Sequence, residues 1–288
     1  MPFSGYQKTF GEATYTLLGI PFDYTSTYRT GARFAPTAIR EASQNIETYS
    51  FRTGHDMEKI GIHDLGDLDV LADVGETLER LRLVAGELLE SGKTPVFIGG
   101  EHTITLGVAY ALKNPEKLAI VSFDAHLDLR NEYLGQKFSH TTFMRRLNEQ
   151  VKPKKIIEVG TRAVCEEELE YSENAGISYI TSLEIHREGL KKTKEKIKKL
   201  LEDVENVYLS IDLDVLDPSY APAVQNPEPE GISPYILHEL IAETCKKSIM
   251  GFDLVEVAPN YDNGITAIQA ARTIFEVICQ IEKNRKTS

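Results

Sequence analysis

Cysteine is scarce in this chain: Cys165, Cys245 and Cys279 are the three among 288 residues, far apart and without a Cys-x-x-Cys pair. That spacing excludes a zinc ribbon and a disulfide framework. It fits a reducing compartment, so a cytoplasmic protein is expected. No apolar run reaches the length of a membrane-crossing helix. The opening stretch MPFSGYQKTF lacks the apolar segment of a secretory signal, so no signal peptide is expected. Positive charge is also short. Against 44 Asp and Glu stand 32 Lys and Arg, a formal net charge of −12 at pH 7. Nonspecific nucleic-acid binding needs a basic face, so neither nucleic acid nor membrane is an expected partner. A cationic small substrate is compatible with this balance. Internal repeats and low-complexity linkers are absent as well.

What is present is a hydrophobic fraction of 41%, distributed in short apolar runs that alternate with longer helical patterns. YTLLGIPF, TPVFIGG, LAIVSF, KKIIEVGTR, NVYLSIDLDVLDP and IMGFDLVEVAP read as strands. PTAIREAS opens a helix on a proline, and ETLERLRLVAGELLESG repeats Leu78, Leu81, Ala85 and Leu88 at helical spacing before Gly92. The lysine-rich stretch 190–201 keeps Leu190, Ile197 and Leu201 on one face, and its charges read as a solvated surface. Strands alternating with helices predict an α/β protein with a mainly parallel sheet covered on both faces, organised as one domain over 1–288.

Three of the strands end in chemistry. IVSFDAHLDLR closes with Asp124, His126 and Asp128 at every second position, YLSIDLDVLDP with Asp212 and Asp214, and PVFIGGEH with His102 after Gly99 and Gly100. Strand side chains alternate, so Asp124, His126 and Asp128 point one way if the strand continues that far. In parallel sheets, ligands bind outside the carboxyl ends of the strands. Four carboxylates converging there would repel, and uncompensated buried charges cost several kcal/mol each. No basic run is near; Arg130 stands alone. Two divalent ions sharing carboxylates are the economical counter-charge, and Gly99 and Gly100 are expected to let the backbone pass close by them. Oxygen-rich ligation with some imidazole favours Mn²⁺, with Zn, Fe, Co and Ni as alternatives.

GGEHTIT, SFDAHLDLR and SIDLDVLDP resemble the three signatures of the ureohydrolases, the arginase and agmatinase family; GIPFDYTSTYRTGARFAPTAIREAS, FSHTTFMRR and GFDLVEVAPNYD agree. The resemblance spans nearly the whole chain. It implies a three-layer arginase-like fold with an eight-stranded parallel sheet between helices, two Mn²⁺ per chain, and homo-trimers or homo-hexamers. It implies that His102, Asp124, Asp128 and Asp212 hold one ion, and Asp124, His126, Asp212 and Asp214 the other. It implies His140 as general acid or proton shuttle and Glu256 as the carboxylate that binds the guanidinium group. The implied reaction splits a guanidino compound into urea and an amine. Glu101 stands where many relatives have Asp, and VQNPEPEGIS replaces a glycine-rich loop beside the pocket, so substrate identity is the open point.

The loop LRNEYLGQKFSH and the stretch VEVAPNYD resemble agmatinases, which makes agmatine, cut to putrescine and urea, the expected substrate. Aminopropylagmatine, arginine and guanidinobutyrate are the alternatives. Asn131 in that loop is a candidate substrate contact. A metallophosphatase would want basic residues around the site, and a deacetylase of similar fold a tandem His-His; neither is present. An inactive regulatory subunit would have lost a ligand, and all six are here. His63 reads as structural, and His55, His186 and His238 sit in no motif.

Overall fold

The computed structural model describes residues 1–285. Its centre is an eight-stranded sheet in which every ladder is parallel. The strands are β1 (Tyr15–Ile20), β4 (Ile62–Asp67), β5 (Thr94–Gly99), β6 (Leu118–Phe123), β7 (Lys155–Thr161), β8 (Ser178–Thr181), β9 (Asn206–Asp212) and β10 (Ser248–Val255). Two short strands, β2 (Tyr49–Ser50) and β3 (His55–Asp56), form a separate hairpin. The helices are α1 (Ala35–Ser43), α2 (Val74–Glu90), α3 (Ile104–Ala109), α4 (Phe143–Gln150), α5 (Glu166–Ala175), α6 (Ser182–Glu188), α7 (Leu190–Leu200), α8 (Pro234–Thr244) and α9 (Ile265–Arg285).

Burial on both faces explains the uninterrupted apolar strands. Along β9, Val207, Leu209 and Ile211 enter one apolar cluster with residues of α1, α8 and α9, while Tyr208 faces the other with residues of α2, α3 and α4. Helix α2 buries Leu78, Leu81, Ala85 and Leu88; the Asp73 side chain caps its start and Gly92, at φ 74°, follows its end. On the lysine-rich helix α7, Ile197 is buried and Leu190 packs against the same core.

The strand order, β4-β1-β5-β10-β9-β6-β7-β8, places the site. After β5 the chain skips two positions to lay down β6, and β9 and β10 later fill the gap. Ligand crevices form at such a reversal of strand order. The four central strands, β5, β10, β9 and β6, lead into His102, Glu256, Asp212 and Asp124 respectively.

Candidate metal centre

Strand alternation does not extend through the Asp-x-His-x-Asp segment. β6 stops at Phe123, and residues 124–130 leave the sheet as a loop in which Asp128 takes φ 52°. A local device aims the carboxylates instead. Asp124 Oδ1 accepts the N–H of His126 at 2.6 Å, and Asp212 Oδ1 accepts the N–H of Asp214 at 2.8 Å. Each aspartate ties one oxygen to the backbone two residues on. The other oxygen, Oδ2, is left to face His102 Nδ1, at 3.0 Å from Asp124 and 3.2 Å from Asp212.

Asp128 Oδ2 lies 3.6 Å from the same nitrogen. His126 Nδ1 sits 3.0 Å from Asp214 Oδ2 and 3.5 Å from Asp124 Oδ1. Two triads result, His102–Asp124–Asp212 and Asp124–His126–Asp214, each with its ligand atoms within 4.8 Å of one another. Asp124 belongs to both. His102, Asp124, Asp128, Asp212 and Asp214 are buried, and His126 is half-buried.

The hydrogen-bond pattern behind His102 tests whether a cation fits. Asp253 accepts from Ser210 Oγ (2.6 Å), Tyr208 OH (2.7 Å) and Thr105 Oγ1 (2.9 Å). The Ser210 hydrogen is thereby used, so Ser210 Oγ accepts from His102 Nε2 at 2.8 Å. In the neutral ring, Nδ1 is then a lone pair. It is buried with no hydrogen-bond partner, facing three carboxylate oxygens. Lone pair against carboxylates is repulsive unless a proton or a metal ion lies between, and a second-shell bond to the far nitrogen is how metal-ligating histidines are oriented.

The electrostatics agree. Burial opposes charge on His102, yet the Asp124 carboxylate beside it raises its pKa to about 10. Burial likewise opposes the charged His126 ring, and Asp214 raises its pKa above the usual range. Burial and the neighbouring aspartates push Asp128 and Asp212 well up. Asp124, burial notwithstanding, is held low by the two imidazoles beside it. Four carboxylates that two imidazoles cannot neutralise are a donor set for divalent cations.

The triads open into a cavity of about 450 Å³, lined by His126, Asp128, Asp212, Asp214, His140 and Glu256 among others. Glu256 follows β10 with φ 68°, a conformation that non-glycine residues avoid and that clusters at functional sites. Its Oε1 accepts the His102 N–H at 2.6 Å, while Oε2 is buried without a partner. His140 is buried; burial and the His126 and His102 rings lower its pKa to about 4.

Three sequence expectations need correction. Asn131 is exposed and does not line the cavity; its Oδ1 accepts from Arg146 at 2.8 Å. The loop instead turns Arg130 and Tyr133 into the cavity, with the guanidinium 4.9 Å from the ring centre. Gly99 and Gly100 make room for other parts of the fold than the acidic cluster: a Cβ on Gly100 would lie 1.8 Å from the Phe22 carbonyl oxygen, and one on Gly99 2.5 Å from Val255. Arg130 is also not the lone cation, because Arg162 reaches the cavity wall. Its guanidinium is saturated by backbone carbonyls, among them Asp214 at 2.7 Å, Glu228 at 2.8 Å and Pro229 at 2.9 Å. Arg162 thus braces the VQNPEPEGIS loop against the Asp214 turn. Nothing in the linear spacing of GTR marked this role. The remaining histidines are accounted for without chemistry: His63 meets the Lys8 carbonyl, His55 that of Thr53, His186 that of Gly231, and His238 the Thr273 hydroxyl.

The model of the arginase family matches residues 13–279. The chain is 36% identical over 281 residues to an agmatinase of Bacillus subtilis, covering 96% of this chain and 94% of that protein. It is 36% identical over 276 residues to the N(1)-aminopropylagmatine ureohydrolase of Thermococcus kodakarensis, covering 94% and 92%. The crystal structure of the agmatine ureohydrolase of Thermoplasma volcanium superposes with a TM-score of 0.92 at 37% identity, over 99% of this chain and 96% of that one. The chain belongs to the arginase family. It is a metal-dependent ureohydrolase, a hydrolase acting on a guanidino C–N bond.

Proposed function

We propose that this single-domain chain hydrolyses agmatine to putrescine and urea with two Mn²⁺ ions. In this reading His102, Asp124, Asp128 and Asp212 hold one ion, and Asp124, His126, Asp212 and Asp214 the other. The observation that carries it is the pair of triads joined through Asp124 at the floor of one cavity, beside a buried Glu256 oxygen that lacks a partner. Bound there, two ions acidify water enough to make a nucleophile near neutral pH.

The chain's own groups do the rest. Glu256 Oε2 accepts guanidinium N–H and turns the substrate carbon toward the floor. Burial holds the Glu256 carboxyl well above its usual range, so an arriving cation restores its charge. His140, neutral at pH 7, takes up the proton released by the attacking water and passes it to the departing amine.

The cavity wall supports a cationic tail over an amino-acid tail. Glu168 and Glu228 line it, and Arg162 has no N–H to spare for a carboxylate. Arg130 is the one cation of that wall whose guanidinium would meet the carboxylate of arginine. The second reading, a longer aminopropyl-extended agmatine, is favoured by the equal identity to the Thermococcus ureohydrolase. The absence of a helix long and apolar enough to cross a membrane among the described residues is compatible with the proposed cytoplasmic location. A homo-oligomer remains part of the proposal by kinship alone.

Urea release from agmatine, aminopropylagmatine, L-arginine and guanidinobutyrate, with Mn²⁺ supplied, tests the substrate. Agmatine is expected to give the highest kcat/KM. A value for arginine at or above it would overturn the substrate assignment and leave the hydrolase standing.

A further inference from the structure

The segment after β1 contributes a second layer behind the proton-handling histidine. Thr25 lies on the loop between β1 and α1, Glu101 directly before His102, and His140 before α4. All three side chains are buried, Glu101 completely. Glu101 Oε1 is 2.5 Å from Thr25 Oγ1 and 2.6 Å from Thr103 Oγ1, and Oε2 accepts the Thr25 N–H at 2.7 Å. Thr25 Oγ1 accepts the His140 N–H at 3.1 Å and lies 3.3 Å from His140 Nδ1. His140 Nε2 lies 3.1 Å from the Thr27 hydroxyl on the cavity wall.

A hydroxyl has one hydrogen and two lone pairs. The shortest contact of Thr25 Oγ1 is to the Glu101 carboxylate, which takes that hydrogen. Both lone pairs then face His140, one toward its backbone N–H and one toward Nδ1. An acceptor at Nδ1 requires the hydrogen to be on Nδ1. Nε2 is left as the lone pair on the cavity side, reached through Thr27.

We propose that Glu101 and Thr25 are positioning residues that hold His140 in the tautomer protonated on Nδ1, so that Nε2 can take up and hand on the proton of the reaction. This rests on the role of His140 given above. Thr25 and Glu101 touch neither the cavity nor the acid triads by any bond just described, so their effect runs through His140.

The test is a set of variants read by kcat, KM and bound metal. T25V keeps the side-chain volume and removes the hydroxyl. It should lower kcat by roughly tenfold, the scale of one net hydrogen bond, with KM and metal content unchanged. T25S, which restores the hydroxyl, should recover most of that loss. In an H140N background, T25V should have no further effect. Imidazole ¹⁵N spectra of the wild-type protein loaded with diamagnetic Zn²⁺ supply a further readout, and should show His140 protonated on Nδ1. Wild-type kcat in T25V, an equal loss from T25V in the H140N background, or an Nε2-protonated ring would each overturn the relay. Full turnover in H140N would overturn the role of His140 itself, a result distinct from failure of the relay in an enzyme that H140N disables.

Discussion

Asp124→Asn places the heaviest demand on the two-ion reading. With neutral imidazoles, the three aspartates of the two triads together with Asp128 carry four negative charges, which two divalent ions balance. Asp124 is the residue common to both triads. The amide can still accept the His126 N–H where Oδ1 does now, so the turn survives. What changes is Oδ2: an NH₂ there would point its hydrogens at His102 Nδ1, 3.0 Å away, where an ion has to sit. Both ions should therefore weaken together, whereas His102→Asn should weaken mainly one. A ligand present at a hundred times its Kd stabilises a fold by about 2.7 kcal/mol. Two such sites give about 5.4 kcal/mol, and for a chain of this size about 2–4 °C of Tm accompanies each kcal/mol, so Mn²⁺ should raise the wild-type Tm by roughly 11–22 °C. In the variant that shift should vanish. Thermal unfolding with and without Mn²⁺, metal counting on the dialysed protein, and urea release form the assay. A variant that retains two ions and the full Tm shift would refute the shared ligand and the charge argument with it.

Glu256→Gln should lower kcat/KM for agmatine by about a hundredfold or more, since a charged partner of the guanidinium becomes a neutral amide, while metal counting still finds two ions. Wild-type kcat/KM would remove Glu256 from substrate binding. Buried His238 offers a prediction away from the site. Burial, then Arg52 and Arg272, lowers its pKa to about 3, so below the ordinary value near 6.5 the unfolded chain takes up a proton that the folded one refuses. Its contribution is complete above about pH 6.5 and is lost as pH falls toward 3. Between pH 7 and 5 the loss is about 2 kcal/mol. Urea unfolding at the two pH values measures it, and in His238→Gln the difference should shrink by that amount; an unchanged difference would refute the assignment.

The parallel α/β architecture was legible in the sequence because uninterrupted apolar strands and amphipathic helices are local patterns. The six acid and imidazole positions were legible for the same reason: each lies in or just after an apolar strand, so three short motifs announced them. The manner of their convergence was not. Asp124 and His126 meet His102 and Asp214 through a loop that departs from the strand at Phe123, and its path depends on backbone bonds that no alternation rule contains. Asn131 was misjudged because proximity along the chain says nothing about which side of a loop faces a cavity. Arg162, Thr25 and Glu101 went unread because their partners lie far away in sequence: Arg162 meets carbonyls near residues 214 and 228, and Thr25 joins Glu101 and His140. The sequence by itself determined which atoms are available and that they sit at strand ends, since propensity and hydrophobic period act over a few residues. Tertiary structure alone decided which of those atoms share a buried space. Strand order across the sheet brings β5, β10, β9 and β6 side by side, and burial then forces each unpaired donor and lone pair to find a partner or a cation.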